Sequence, residues 1–155
     1  MKTARTARSL LFITVTALAS CCICAARDIA VIVDKTNDAG SLSIADLTKI
    51  LKTTTKSWPD GKKVIIFLSD PASADMKLVL QKAYGMTADE IKAFAGSHRG
   101  EVIVVGSDEL VLKAVQTNPG ALGVVNVYSI NSGVKVLKVD GKLPLESGYL
   151  FHGNN

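Results

Sequence analysis

Short apolar runs alternate with amphipathic stretches along the chain after residue 26. The first run, residues 28–34, is rich in β-branched residues and predicts a strand buried on both faces. Similar runs predict strands at residues 64–68, 101–105 and 121–125. A roughly alternating run at 134–139 predicts a fifth strand, which we place at a sheet edge.

Helical periodicity fills the segments between these strands. Helices are predicted at residues 44–51, 74–84, 88–95 and 108–116, several of them preceded by a capping residue such as Ser43, Thr87 or Ser107. The last helix is expected to bury Leu110, Val111, Ala114 and Val115. Strands alternating with helices predict a three-layer α/β domain with a mixed sheet of about five strands and helices on both faces.

The first 26 residues have the layout of an export signal. Lys2, Arg5 and Arg8 precede an apolar stretch over residues 10–19, and small residues follow. A membrane-spanning helix is the alternative. It fits less well, because a span needs about 20 mostly apolar residues and this stretch is short and interrupted by hydroxyl residues. We therefore predict an exported protein in the periplasm or cell envelope.

The end of the signal has two interpretations. Residues 18–21 resemble the lipobox of bacterial lipoproteins, which gives a signal over residues 1–20 and a lipidated Cys21 that anchors the protein to a membrane. The alternative is ordinary cleavage after Ala26. Either way the folded domain covers residues 27–145. Residues 146–155 form a polar tail of little pattern, in which His152 is expected to be disordered.

Composition and motifs exclude several function classes. The net charge of +4 includes three positive charges from the leader, so the rest of the chain is nearly neutral. It lacks the excess of basic residues that is typical of nucleic-acid-binding proteins. All three cysteines lie at residues 21–24, which leaves the domain without disulfides or a cysteine nucleophile. No catalytic motif or metal-ligand spacing is present. We expect no enzyme, no cofactor and no metal.

The segment 69–73 is the most suggestive for binding. It follows a predicted buried strand and opens a helix, where free backbone N–H groups favour anions. Ser73 could add a hydroxyl donor, or could simply cap its own helix, while Asp70 ends the strand. Ser107 begins a second helix, but Asp108 and Glu109 follow it and repel an anion. Trp58, beside a turn, is either a contact residue or a packing residue.

The order of several motifs resembles phosphate ABC transporter substrate-binding proteins. They are residues 28–33, the Ser41-Leu42-Ser43 helix start, 57–61, 83–87, 105–108, 118–123 and 139–144. The resemblance is to the short, one-lobe branch of that family. It implies a single lobe of a type II periplasmic-binding-protein fold, an anion or phosphate ligand, and a membrane transporter or second lobe as partner.

The resemblance also shows departures in the ligand loop. Leu68 stands where the family has an arginine, Asp70 matches the family's aspartate, and Ala72-Ser73-Ala74 replaces Ser-Gly-Thr. Arginine supplies bidentate bonds to phosphate, so its loss weakens the site. The candidate ligand-binding residues are Ser69, Asp70, Ser73 and Ser41.

Two functions follow as hypotheses. The first is an exported phosphate-binding-like or anion-binding-like protein, related to transporter binding components, with a weak or incomplete site. The second is an accessory or interaction scaffold at the cell envelope that binds no small ligand. The surface around Asp70 discriminates them: an open site with free helix-start N–H groups supports a ligand, and a filled or apolar surface supports a protein partner.

Overall fold

The computed structural model describes residues 27–153, and the helices and strands follow the order that the sequence pattern predicts. A π-helical turn at Leu80–Tyr84 and a 3-10 turn at Val127–Ser129 interrupt the regular elements. In chain order the elements are β1 (Arg27–Asp34), β2 (Ser41–Leu42), α1 (Ile44–Leu51), β3 (Ile65–Leu68), α2 (Ala74–Val79), α3 (Ala88–Ser97), β4 (Val102–Val104), α4 (Asp108–Thr117), β5 (Ala121–Asn126), β6 (Val134–Val136), β7 (Lys138–Val139) and β8 (His152–Gly153).

A mixed sheet forms the middle of the lobe, with strand order β4-β3-β5-β1-β6. β3 is parallel to both β4 and β5, whereas β1 is antiparallel to β5 and β6. β8 adds to the start of β1, and β2 and β7 form a separate parallel pair. The predicted mixed sheet and edge position of β6 are confirmed.

Each face of the sheet has its own hydrophobic core. β1 is buried along almost its whole length, so alternate residues enter opposite cores, as the continuous apolar run predicts. The helices α1, α2 and α3 pack on one face, and α4 packs on the other. A Cβ at Gly123 of β5 would lie 2.6 Å from Cγ1 of Val111, so only glycine lets α4 approach this closely. The three-layer prediction is confirmed.

The helix caps agree with the sequence. Ser43 Oγ accepts the N–H of Asp46 at 3.0 Å, and its hydroxyl donates to the Asp46 carboxylate at 2.8 Å. Thr87 and Glu90 form a complete capping box at the start of α3. The predicted helix 74–84 is α2 continued by the π-helical turn, and Gly85 in the left-handed region ends it.

Two sequence predictions are wrong. Leu110 is half exposed, and Leu112 takes its place among the buried residues of α4. The segment after residue 145 is not a disordered tail where it is described: Tyr149 and Phe151 lie in the core, and His152 pairs with Asp28 in β1. These two aromatic rings pack edge to face, which fixes the segment on the lobe.

Trp58 is a packing residue. Its side chain is buried, and its indole Nε1 donates to the carbonyl of Gly120 at 2.8 Å. None of the described helices is long and apolar enough to cross a membrane.

Candidate functional site

The strand ends that lead into helices lie together at one edge of the sheet. Because β3, β4 and β5 are parallel and β1 is antiparallel to β5, the carboxyl ends of those three strands meet the start of β1. We call this edge, with the first residues of α2 and α4, the carboxyl edge. Ligands of open α/β sheets bind at such an edge, so it is the candidate site.

The structure brings Ser69, Asp70 and Ser73 together in the loop between β3 and α2. Ser69 is buried, Asp70 is exposed and Ser73 is half-buried. Ser73 Oγ accepts the N–H of Met76 at 3.1 Å and therefore caps α2. Asp70 Oδ1 accepts the N–H of Ala72 at 3.0 Å. The polar groups of this loop already hold the loop's own backbone.

Ser41 lies elsewhere. It belongs to β2, which pairs with β7, the strand that follows β6 at the far end of the sheet order. No hydrogen bond between described residues joins Ser41 to the loop between β3 and α2. The structure therefore does not unite Ser41 with the other three candidates.

Leu68, which the sequence resemblance aligns with an arginine, is fully buried. It lies in the core on the side of α1 to α3, and its backbone pairs with Val104 and Val124 on the two neighbouring strands. The side chain is thus part of the packing under the loop. A guanidinium at this position would enter an apolar core without a partner.

A carboxylate lies in the first turn of each of the two helices that begin at the carboxyl edge. Asp108 Oδ2, in the first turn of α4, accepts the backbone N–H of Asn126 at 2.8 Å and the hydroxyl of Ser129 at 3.0 Å. Asp75 Oδ2, in the first turn of α2, accepts Nδ2 of Asn126 at 2.8 Å. Arg27 Nε approaches the other oxygen of Asp75 at 3.7 Å. Asn126 therefore links the starts of α2 and α4.

The start of α4 carries a second carboxylate besides Asp108. Glu109 follows Asp108, and a hydrogen bond from the Ser107 side chain lowers the pKa of the Glu109 carboxyl, which keeps it ionised. Carboxylates at a helix start satisfy the partial positive charge there. The expectation that Asp108 and Glu109 disfavour an anion is supported by this geometry. Asp75 and Asn126 also belong to this network, which the sequence analysis did not predict.

Two large apolar side chains stand beside this carboxylate network. Tyr128 is 79% exposed and Leu110 is 50% exposed. Tyr128 lies between Asn126 and Ser129, the two residues that donate to Asp108, and Leu110 follows Asp108 by half a turn of α4. We call Leu110 and Tyr128 the apolar pair. Sequence reasoning missed it, because Leu110 fits the periodicity of a buried residue.

The remaining predicted features lie outside this edge or outside the described residues. Cys21 and the whole leader fall before residue 27, where the description begins. Among residues 27–153 no cluster of His, Cys, Asp and Glu could hold a metal ion.

Comparison with known proteins gives the context of the fold. The family model of the PBP superfamily domain matches residues 23–148. A structure of an ABC-type phosphate transport receptor from Vibrio cholerae is similar, with 16% identity and a TM-score of 0.64 over 77% of this chain and 48% of that chain. No curated protein sequence matches significantly.

Two further structures are similar to the same extent. A phosphate ABC transporter substrate-binding protein with bound phosphate, from Clostridium perfringens, has 18% identity and a TM-score of 0.63 over 75% of this chain and 46% of that chain. PstS from Borrelia burgdorferi has 19% identity and a TM-score of 0.68 over 83% and 55%. At these identities the likeness establishes the fold, and this chain spans about half the length of each.

Proposed function

Since the chain belongs to the PBP superfamily-domain family, we propose that it is an exported one-lobe relative of phosphate transporter binding proteins that serves as an accessory partner of a membrane transporter at the cell envelope. It is not an enzyme, and oxyanion binding at its carboxyl edge is weak or incomplete. The similar structures are phosphate receptors or binding proteins, which supports the transporter connection.

The position of the Asp108 carboxylate carries this proposal. It lies at the start of α4 and accepts hydrogen bonds from Asn126 and Ser129. These donors, like the helix start itself, are what an incoming oxyanion needs. Since a carboxylate of the chain takes them, an added anion meets repulsion from Asp108, Asp75 and Glu109.

The apolar pair supports a protein partner at the same edge. Exposed aromatic residues are common anchors of protein interfaces. Tyr128 is held on a 3-10 turn whose start is capped by Asn126 Oδ1, which accepts the Tyr128 N–H at 3.0 Å. A rigid aromatic side chain loses little conformational entropy on binding. The neighbouring carboxylates of Asp75, Asp108 and Glu109 favour a partner surface that carries basic residues.

The proposed lipid anchor places this edge near the membrane. β1 begins at Arg27 on the carboxyl edge, and only five residues separate Arg27 from Cys21. That linker reaches at most about 20 Å when fully extended. Lipidation of Cys21 would therefore keep the apolar pair close to membrane-embedded proteins.

Site-specific photo-crosslinking in cells tests the proposal. A photoreactive amino acid at position 128 should crosslink to a membrane protein, and the same probe at Lys52, exposed at the end of α1, should not. Crosslinking that is equal at both positions, or absent at position 128, contradicts the proposal.

A second candidate function is oxyanion binding at the loop between β3 and α2. The half-buried Ser73 favours it, because its hydroxyl lies at the start of α2, and the exposed Asp70 could accept a hydrogen bond from a protonated phosphate oxygen. Isothermal titration with phosphate, sulfate and phosphonates separates the two. A binding heat that disappears in both Asp70→Asn and Ser73→Ala would establish the second function.

A further inference from the structure

An open cavity lies between the π-helical turn and the C-terminal segment, and no residue of the loop between β3 and α2 lines it. Its volume is about 490 Å³, and it is lined by Lys82, Leu145, Ser147, Gly148, Tyr149 and His152. We call it the C-terminal cavity. Two of its lining residues are held by the fold, because Tyr149 is buried in the core and His152 belongs to β8.

Lys82 is held in the cavity wall by its own contact. Its ammonium group donates to the backbone carbonyl of His152 at 2.7 Å. An ammonium group has three donors, so two remain for another acceptor. Among the described residues no carboxylate lies within 4.0 Å of Lys82 Nζ. Within residues 27–153 the charge is fixed in place without a carboxylate counter-charge.

A second ammonium group reaches over the same segment. A Cβ at Gly148 would lie 2.3 Å from Lys142 Nζ, which means that this ammonium rests directly on the glycine. Lys142 also has no ion pair with a described residue. Lys142 lies beside Gly148 but is not among the residues that line the cavity.

His152 adds an oriented imidazole. Its Nδ1 hydrogen-bonds to the buried carboxylate of Asp28, which leaves Nε2 on the opposite side of a ring that is 38% exposed. The hydroxyl of Ser147 makes no hydrogen bond to another described residue. The cavity therefore collects ammonium, imidazole and hydroxyl groups, the set that recognises an oxyanion.

We propose that the C-terminal cavity binds a small oxyanion of the phosphate type, either free or as a phosphate monoester such as a lipid headgroup. Lys82 supplies the charge, and Ser147 and His152 supply further contacts. This site is separate from the loop between β3 and α2 and does not depend on the proposed function.

NMR titration of the processed protein tests the proposal, with inorganic phosphate, sulfate and glycerol 3-phosphate as probes. Saturable shifts are expected at the amides of Lys82, Ser147, Gly148 and His152. Binding of phosphate indicates a free anion, and binding of glycerol 3-phosphate alone indicates a phosphate monoester; both support the cavity as an oxyanion site.

Matched variants localise the binding. Lys82→Gln should lower the affinity about tenfold, because a hydrogen bond to a charged group contributes a factor of that size. Lys77→Gln, an exposed lysine of α2 outside the cavity lining, removes the same charge and should change little. Ser147→Ala should also weaken binding, because it removes a hydroxyl group from the cavity lining.

Three results overturn the proposal. One is the absence of saturable shifts with every probe. Another is shifts confined to residues 69–73. The third is an equal loss of affinity in Lys82→Gln and Lys77→Gln, which would show a general charge effect. Preserved dispersion of the amide spectrum shows that each variant is folded.

Discussion

Asp34 Oδ2 accepts the backbone N–H of Gly120 at 2.9 Å and so joins the end of β1 to the start of β5, 86 residues later. Its other oxygen accepts the backbone N–H and the hydroxyl of Thr36. Gly120 in turn receives the indole N–H of Trp58 on its carbonyl. One buried carboxylate therefore organises the edge of the sheet opposite the carboxyl edge.

Asp34 should make the fold sensitive to acid. Burial raises the pKa of its carboxyl, but hydrogen bonds from Thr36 and Gly120, with the nearby charge of Lys62, bring the pKa below its ordinary value. A carboxyl with a depressed folded pKa stabilises the fold above the unfolded pKa of about 3.9, and that contribution is lost as the pH falls through the folded value.

Replacement of Asp34 tests this dependence. Asp34→Ala should cost about 1–3 kcal/mol at neutral pH, because it leaves the buried N–H of Gly120 without an acceptor. The free energy of unfolding, measured in denaturant between pH 2 and 7, should also vary less with pH. Asp38→Asn, at an exposed carboxylate, is the control. An equal effect of both variants would contradict the prediction.

Leu68→Arg should destabilise the protein without creating phosphate affinity. The side chain of Leu68 is fully buried among apolar residues, so an arginine charge there has no partner. Such substitutions typically cost several kcal/mol. Leu110→Arg, at a half-exposed position, should change stability by less than about 0.5 kcal/mol. A stable Leu68→Arg protein that gains phosphate heat by calorimetry would show an eroded phosphate site.

The C-terminal segment should be essential for stability. Phe151 is fully buried in the core on the side of α1 to α3, and truncation of a buried phenylalanine to alanine typically costs about 3–5 kcal/mol. Leu145→Ala, at an exposed residue of the same segment, should cost much less. Denaturant unfolding of the two variants compares them directly. Equal stability of both would mean that the segment does not pack as described.

Cys21 should carry a lipid. Metabolic labelling with a fatty acid should mark the natural protein and not Cys21→Ser, because the thiol is the attachment point of bacterial lipoproteins. Cys22→Ser keeps Cys21 and serves as the control. Labelling that persists in Cys21→Ser, or that is absent from the natural protein, would favour cleavage after Ala26.

The sequence predicted the parts of the fold whose signal is local. The apolar run of β1 predicts burial on both faces, and Thr87 with Glu90 predicts the start of α3, because these signals depend on residues close together in the chain. Leu110 shows the limit. Residues 110 and 112 both lie beside the buried stripe of α4, and only contact with the sheet decides which is covered.

The candidate site was predictable only in part. Capping was the expectation for Ser107 and one of two interpretations for Ser73, and both residues cap their helices. The link between Asp75, Asn126 and Asp108 joins residues up to 51 positions apart, and nothing in a single sequence pairs them. The packing of Tyr149 and Phe151 was not predicted either. A short segment without periodicity gains its order from elements that are distant in the sequence.

The pairing of β8 with β1 places Arg27 opposite Gly153, so the two ends of the described lobe leave it side by side. A lobe with adjacent ends can be spliced into an exposed turn of another protein, or circularly permuted through a short linker, without a break in its core. The same geometry means that a reporter fused after residue 155 would be held near the start of β1 rather than on the far side of the lobe.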